Sequence, residues 1–199
     1  MVNSEYLKNL NNSQKEAVMH IDGPLLIVAG AGSGKTKVLT SRIANIIKEK
    51  KAFPNQILAV TFTNKAAKEM QIRVSKMLGS AAVGLSWLGT FHAICAKLLR
   101  KHASAVNLNS NFTIVDTDDQ IRLIKNICKA ESIDVKQLAP RYILAIIDKW
   151  KNKGFYPHEV IINSKDIYEK TILPLYKIYQ QKLIDLNAFD FGDLILHSV

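Results

Sequence analysis

The segment AGAGSGKT, residues 29–36, decides the fold of this 199-residue chain. Glycine occupies three of its eight positions, and this residue adopts positive φ freely, so that neighbouring backbone N–H groups can converge on one anion. The apolar run LLIVA at 25–29 precedes the segment and predicts a strand buried on both faces. A helical pattern follows from about residue 35 to residue 50. Strand, glycine-rich turn and helix in this order are typical of a phosphate-binding loop.

Each residue of this loop has a predicted role at a nucleotide. The backbone N–H groups surround the phosphates, the Lys35 ammonium reaches the β- and γ-phosphates, and the Thr36 hydroxyl is a ligand for Mg²⁺. Lys35 and Thr36 are therefore the predicted catalytic residues, and Thr36 is the predicted metal ligand. The strict pattern has glycine where this chain has alanine at its first position. The predicted nucleotide-binding residues of the loop are Ala29, Gly30, Ala31, Gly32, Ser33, Gly34, Lys35 and Thr36.

Outside the loop, strand and helix signals first alternate and then give way to helices. Because strand–helix alternation implies right-handed crossovers, we expect an α/β fold with a parallel sheet, followed by a mainly helical insertion. An extended piece at 112–115 marks the change, and Pro174 is expected to kink or divide the last long helix. Further strands are predicted at 57–61 and 84–88, and helices at 12–20 (capped by Asn11 or Asn12), 65–78, from 91, 117–130, 140–152 and 165–186.

Positive charge is concentrated in one block of the chain. The formal net charge is +10, from 27 Lys and Arg against 17 Asp and Glu. Residues 51–100 hold seven basic residues and one acid, so this block supplies most of the excess. Solvated helix faces are the ordinary interpretation of such a block, and a polyanionic partner is the alternative.

Cysteine usage and hydropathy bear on the cellular compartment. Cys95 and Cys128 are too few and too far apart for a disulfide framework or the usual zinc spacings, and they suit a reducing cytosol. The start of the chain lacks the apolar core of a secretory signal. The uncharged stretch 77–96 is long enough to cross a bilayer, but its glycines, hydroxyl residues and His92 disfavour a membrane span. We therefore expect a cytoplasmic protein with no membrane segment.

Five further segments resemble motifs of the UvrD/Rep-type DNA helicases of superfamily 1. LNNSQKEAV (10–18) is similar to the glutamine motif that precedes the phosphate loop in that family. VTFTNKAAKEM (60–70) and GTFHAICAKLLR (89–100) resemble its next two motifs, in order and at matching spacing. NFTIVDTDDQIRLIK (111–125) and NAFDFGDLI (187–195) are similar to its inserted subdomain and to the segment that returns from it. The resemblance covers essentially the whole chain.

The resemblance implies an activity and a set of contacts. The implied protein is an ATP-dependent DNA helicase of DNA repair or replication that translocates 3′ to 5′ and uses ATP and Mg²⁺. Gln14 would hydrogen-bond the adenine, although by itself it would be interpreted as an exposed helix residue. Phe62 would stack on a base, at about 1–3 kcal/mol per base. Taken separately, Phe62 would be interpreted as a core residue and His92 as a helix-start cap or packed polar residue. The residues implied to contact single-stranded DNA or single/double-strand junctions are Thr61, Phe62, Thr63, Asn64, Lys65, Thr90, Phe91 and His92.

The resemblance also implies the domain organisation. Residues 1–110 together with 187–199 would form an incomplete RecA-like ATP-binding domain of the P-loop NTPase type, and residues 111–186 a mainly helical inserted subdomain. Two groups of acids need interpretation within it. Asp116, with the acids at 118 and 119, is expected to cap a helix rather than bind a metal. Asp190 and Asp193 match paired acids of the return segment, where the position of Gly192 is commonly acidic.

Hydrolysis of ATP by this machinery needs carboxylates to support Mg²⁺ and to activate water. In the family these come from an Asp-Glu pair that ends a later strand, and no Asp-Glu dipeptide occurs in this sequence. We therefore expect this chain alone to be inactive and to act with the remainder of a helicase, including the second motor domain. Two alternatives remain: a catalytically inactive nucleotide- or nucleic-acid-binding fragment or split-gene product, and a small P-loop kinase.

Overall fold

The computed structural model describes residues 5–162 and 167–199. Helices predominate over strands in these residues. The helices are α1 (Asn12–Met19), α2 (Lys35–Lys48), α3 (Asn64–Leu78), α4 (Phe91–Lys101), α5 (Thr117–Ala130), α6 (Pro140–Asn152), α7 (Ile167–Asp185) and α8 (Phe191–Leu196). The strands are β1 (Ala59–Thr61), β2 (Leu88–Thr90), β3 (Thr113–Ile114) and β4 (Ala188–Phe189).

The chain forms two compact units, one up to Ile94 and one from Cys95 to Val199. This division falls within α4. The assignment of residues 1–110 with 187–199 to a RecA-like domain, and of 111–186 to an inserted subdomain, stays a prediction. In the part of the chain that the structure describes, no helix is long and apolar enough to cross a membrane.

In the first unit, β1 and β2 pair in parallel, with Ala59 opposite Leu88 and Thr61 opposite Thr90. The crossover between them is α3, which begins at the N-cap Thr63 and buries Val74 completely. α2 packs against α3, and α1 packs against α2. The buried apolar core of this unit consists of Tyr6, Leu10, Val18, Val38, Ile43, Ala44, Ala59, Met70, Val74 and Leu78.

The predicted strand at 25–29 is wrong for this structure. Residues 24–30 have no assigned secondary structure, and Leu26 and Val28 are 86% and 87% exposed. A strand exists only when another strand accepts its backbone hydrogen bonds, and among the described residues β1 pairs only with β2. The predicted strand at 84–88 is displaced toward β2, because Gly84, at φ 94°, still lies in a turn.

In the second unit, β3 and β4 form a separate parallel pair, with Thr113 opposite Ala188 and Ile114 opposite Phe189. The return segment near 187 therefore pairs with the extended piece at 112–115 rather than with β1 or β2. Helices α5, α6 and α7 surround one apolar core that contains Trp150. A smaller core forms where α4 meets the β3–β4 pair and α8, and it consists of Ala96, Leu99, Leu108, Phe112, Phe189 and Leu194.

Local signals set the helix boundaries of the second unit. The predicted cap of α5 is confirmed, since Oδ1 of Asp116 accepts a hydrogen bond from the backbone N–H of Asp119 at 2.9 Å. α6 begins with Pro140 at its first position, where the missing N–H costs nothing. Pro174 does not divide α7, which is a single assigned helix of 19 residues. The first two residues of the predicted helix at 165–186 lie outside the described residues.

Candidate nucleotide and nucleic-acid sites

Two glycines of the phosphate loop have positive φ angles. Gly32 and Gly34 lie at φ 76° and φ 89°, in the left-handed region that other residues rarely adopt. Gly34 is also the N-cap of α2 and provides no side-chain hydrogen bond to the helix. The first N–H groups of α2 therefore face the loop without a side-chain cap, which is the arrangement that binds anions at helix N-termini. A Cβ at Gly30 or Gly32 would meet no atom within 4 Å, so the loop borders open space.

The Lys35 side chain folds back over this loop. Its Nζ donates hydrogen bonds to the carbonyl oxygens of Ala29 and Gly30, the latter at 2.8 Å. The Ser33 hydroxyl also donates to the Gly30 carbonyl, at 2.7 Å. Lys35 and Thr36 are both exposed. The ammonium thus lies over the loop, and a phosphate that enters would exchange two neutral carbonyls for a charged acceptor, which forms stronger hydrogen bonds.

Gln14 connects α1 to the phosphate loop. Its Oε1 accepts from the backbone N–H of Asn11 at 3.0 Å, and the Asn11 side chain accepts from the backbone N–H of Gln14 at 2.9 Å, which completes a capping box. Its Nε2 donates to the Ser33 carbonyl at 3.0 Å. The family resemblance implied that Gln14 contacts the adenine, and in the structure both ends of its side-chain amide already make hydrogen bonds.

A small cavity lies between α1 and the loop. Its volume is about 200 Å³, and it is bounded by Gln14, Ser33, Lys35 and the apolar side chains Ala17 and Val38, among others. Ligand pockets commonly reach about 300–1,000 Å³, so this cavity suits one part of a nucleotide rather than the whole. Buried Asn45 of α2 joins this helix to α1, because it accepts from the Tyr6 hydroxyl at 2.9 Å and donates to the Val18 carbonyl at 3.3 Å.

The residues present fit Mg-ATP. The loop has its two left-handed glycines, its lysine reaches across it, and Thr36 stands in the first turn of α2. When bound, Mg²⁺ supplies charge neutralisation between phosphate oxygens, and Thr36 would be its ligand from this chain.

The two segments predicted to contact DNA meet at one edge of the first unit. β1 and β2 end side by side, because Thr61 is the register partner of Thr90. The residues that follow are Phe62 and Phe91, whose ring centroids are 5.4 Å apart in a tilted arrangement. Phe62 is 89% exposed, so it is not the core residue that its apolar side chain, taken by itself, suggested. Two segments 29 residues apart in the chain thus place an exposed aromatic pair beside a parallel strand pair.

The remaining predicted DNA-contact residues divide into caps and exposed side chains. The Thr63 hydroxyl accepts from the backbone N–H of Ala66 at 3.1 Å, and the Thr90 hydroxyl accepts from that of Ala93 at 3.2 Å. These threonines therefore stabilise the starts of α3 and α4. Thr63, Asn64, Lys65 and His92 are exposed, and Thr61 is half-buried.

Asp190 and Asp193 are engaged in a buried cluster that the sequence analysis did not foresee. Lys151 of α6 lies with its Nζ 2.6 Å from Oδ2 of Asp190 and 2.7 Å from Oδ1 of Asp193, and all three side chains are fully buried. Asp190 is also the N-cap of α8, in a capping box with Asp193. One signal was available: Lys151 stands four residues after Ile147, in line with the apolar stripe of α6.

Comparisons with known proteins identify the family of the chain. A family model described as the UvrD/REP helicase N-terminal domain matches residues 10–199. The chain belongs to this family. As a UvrD/REP helicase N-terminal domain it has a P-loop NTPase fold, and the small parallel sheets are consistent with that class, although the complete RecA-like sheet stays a prediction.

Relatives of this helicase domain are similar over nearly all of its length. The chain is 47% identical to the "Probable DNA helicase II homolog" of Rickettsia conorii, with 100% of this chain and 30% of that protein covered. It is 45% identical to the "ATP-dependent DNA helicase PcrA" of Staphylococcus epidermidis, with 97% and 26% covered. The protein of that name from Bacillus subtilis is 44% identical, with 100% and 27% covered. The chain thus spans less than a third of the length of these relatives.

Proposed function

We propose that this chain is the N-terminal ATP- and DNA-binding part of an ATP-dependent 3′–5′ DNA helicase that acts in DNA repair or replication in the cytoplasm. The observation that carries the proposal is the phosphate loop with Lys35 above it and Gln14 hydrogen-bonded to it. A kinase function has no support, because the chain belongs to a helicase family. The proposed partners are single-stranded DNA or single/double-strand junctions and the remainder of the helicase, including its second motor domain.

The proposed nucleotide is ATP with Mg²⁺. The phosphates would lie against residues 29–36, with Lys35 as their cation, and the base would lie toward Gln14 and the cavity between α1 and the loop. The chain is proposed to bind ATP but not to hydrolyse it. Support for this comes from Asp190 and Asp193, since both carboxylates are buried against Lys151 and neither is free to support a metal ion or activate water.

Thermal melting and phosphate release test the nucleotide proposal. Ligand at a hundred times its Kd should stabilise the fold by about 2.7 kcal/mol. Lys35→Ala should remove that shift, whereas Lys15→Ala, which removes an exposed lysine of α1, should keep it. Phosphate release in the presence of Mg-ATP and single-stranded DNA should stay at background for the wild-type chain. Turnover that depends on Lys35 and on DNA would contradict the proposed inactivity while confirming the nucleotide site.

The proposed DNA surface is the edge where β1 and β2 end. An exposed aromatic pair offers faces for bases, and Lys65, in the first turn of α3, offers a cation for the phosphates. The block at 51–100, with its seven basic residues against one acid, surrounds this edge in sequence. Binding here should be weak and sensitive to salt, because counterions are released when lysines neutralise phosphates.

A matched pair of variants tests this surface. Fluorescence anisotropy with a labelled oligonucleotide should show a log–log salt slope of about −0.7 for each phosphate contacted. The double variant Phe62→Ala/Lys65→Ala should weaken binding, while Phe53→Ala/Lys51→Ala, with the same change in charge at another exposed aromatic, should leave it near the wild-type value. Equal losses in both double variants would mean that net charge, rather than this surface, attracts the DNA.

A further inference from the structure

The buried cluster of Lys151, Asp190 and Asp193 contains two carboxylates and one ammonium. When all three are ionised, the cluster holds one negative charge in excess. A buried charge without a partner is costly, and a protein relieves that cost by binding or releasing a proton. The cluster joins α6 to the segment from β4 to α8, so its charge state affects how firmly those elements are held together.

The two carboxylates of the cluster are not equally stabilised. Oδ2 of Asp190 accepts from Lys151 and from the Tyr179 hydroxyl at 2.9 Å, and Oδ1 accepts from the backbone N–H of Asp193 at 2.8 Å. Oδ1 of Asp193 accepts from Lys151 and from Gln180 Nε2 at 3.0 Å. Among the described residues, its Oδ2 accepts only a long bond from the backbone N–H of Asp190, at 3.3 Å. Oδ2 of Asp193 is therefore the oxygen on which a proton costs the fewest hydrogen bonds.

The cluster also lacks a donor. Among the described residues, Oε1 of Gln180 and Nε2 of His197 are buried atoms with no hydrogen-bond partner. The His197 Nε2 lies 3.8 Å from Oδ1 of Asp193, beyond hydrogen-bond distance. The Gln180 Oε1 is an acceptor and carries the full cost of its lost hydration, whereas His197 Nε2 donates or accepts according to the tautomer of the ring. A proton on Asp193 would add a donor where acceptors are in excess.

The surrounding groups favour a proton on a carboxyl rather than on His197. Lys151 repels a second cation, and its Nζ lies 5.1 Å from the centre of the Tyr179 ring and 5.7 Å from that of Tyr176, which supports its charged form. Burial lowers the pKa of His197 to about 4. Repulsion from Lys151 contributes to this low pKa, and the attraction of Asp190 offsets part of the shift. Asp148, also on α6, is a third acid whose pKa is raised, by burial and then by Asp190.

We propose that this cluster is a proton-operated brace, in which one proton taken up by Asp193 in mildly acidic solution removes the excess charge and tightens the hold of α6 and α7 on α8. Lys151 and Asp190 remain an ion pair, and the neutral Asp193 keeps its carbonyl oxygen as an acceptor for Lys151 and Gln180. Burial raises the pKa of Asp193 to about 6; the positive charge of Lys151 lowers it in part, and the negative charge of Asp190 adds to the increase. The direction of this shift agrees with the geometry.

Carbon-13 NMR of the aspartate carboxyl groups in the 199-residue chain tests the brace directly. The Asp193 carboxyl should titrate near pH 6, about two units above an ordinary aspartate. An Asp193 titration near pH 4, or a proton that appears first on His197, would overturn the proposal.

A pair of isosteric variants supplies the second test. Asp193→Asn mimics the protonated carboxyl, so its unfolding equilibrium constant at pH 7 should be no higher than that of the wild type. Asp190→Asn replaces the acceptor of both Lys151 and Tyr179, so its constant should be at least about tenfold higher. The reverse order would refute the assignment of the proton to Asp193. If Asp190→Asn does not fold, the proposal still stands or falls on Asp193→Asn and on the titration.

Discussion

Replacing His197 with phenylalanine should change how the stability of the second unit responds to pH. Burial lowers the pKa of this histidine from 6.5 to about 4, so the folded state binds a proton less readily than the unfolded state. Stability from this group is complete above pH 6.5 and is lost as the pH falls toward 4. Between pH 7 and pH 5 the loss amounts to about 1.8 kcal/mol. Phenylalanine keeps the aromatic contacts with Tyr156 and Phe189 but cannot take up the proton.

Asp193 has the opposite effect on how stability depends on pH. Its folded pKa of about 6 lies above its ordinary 3.8, so its protonation stabilises the fold by about 1.3 kcal/mol between pH 7 and pH 5. From these two groups the wild-type chain should lose about 0.5 kcal/mol over this range, whereas His197→Phe should gain about 1.3 kcal/mol from Asp193. Urea unfolding followed by the fluorescence of buried Trp150, in a Trp87→Phe background, would measure both. Parallel stability curves for the two proteins between pH 7 and pH 5 would refute the reasoning.

Two further substitutions test the first unit. Asn45→Ala should cost about 2–3 kcal/mol in chemical unfolding because it leaves two buried hydrogen-bonding groups unpaired, whereas Asn55→Ala, at an exposed site, should change stability by less than about 0.5 kcal/mol. Gly34→Ala should cost about 1–2 kcal/mol of backbone strain at φ 89° and weaken ATP binding, because its Cβ would lie 3.0 Å from Nε2 of Gln14. Gly23→Ala, at φ 78° with no atom within 4 Å of its Cβ, carries a similar strain without the contact, so unchanged ATP binding in Gly34→Ala would contradict this role of Gln14.

Helices with complete local signals were predictable from the sequence. The helix predicted at 117–130 has an aspartate cap and an amphipathic stripe, and α5 begins and ends at these same residues. α6 also matches its predicted bounds of 140–152. The run at 25–29 has equally clear strand composition, yet no strand forms, because strand formation depends on a partner elsewhere in the chain. The pairing of the return segment with β3 could likewise not be predicted from the sequence.

The candidate site shows the same contrast between local and distant information. The phosphate loop is one continuous segment, so its glycines and Lys35 could be located from their order alone. The meeting of Phe62 and Phe91 follows from the parallel pairing of β1 with β2. Strand–helix alternation predicted a parallel sheet, but not which residues would meet at its edge. The position of Lys151 in line with the apolar stripe of α6 was the one sign of its burial, but lysine at such a position is usually interpreted as the solvated edge of the helix.

The exposed run at 25–28 has a consequence for the behaviour of the chain in concentrated solution. Four consecutive leucine, isoleucine and valine residues, without charge or proline and without a paired strand, form a short template for β-pairing between copies. The net charge of +10 keeps copies apart at low ionic strength. Because salt screens that repulsion, self-association through this run should strengthen as salt is added, while the binding of nucleic acid weakens.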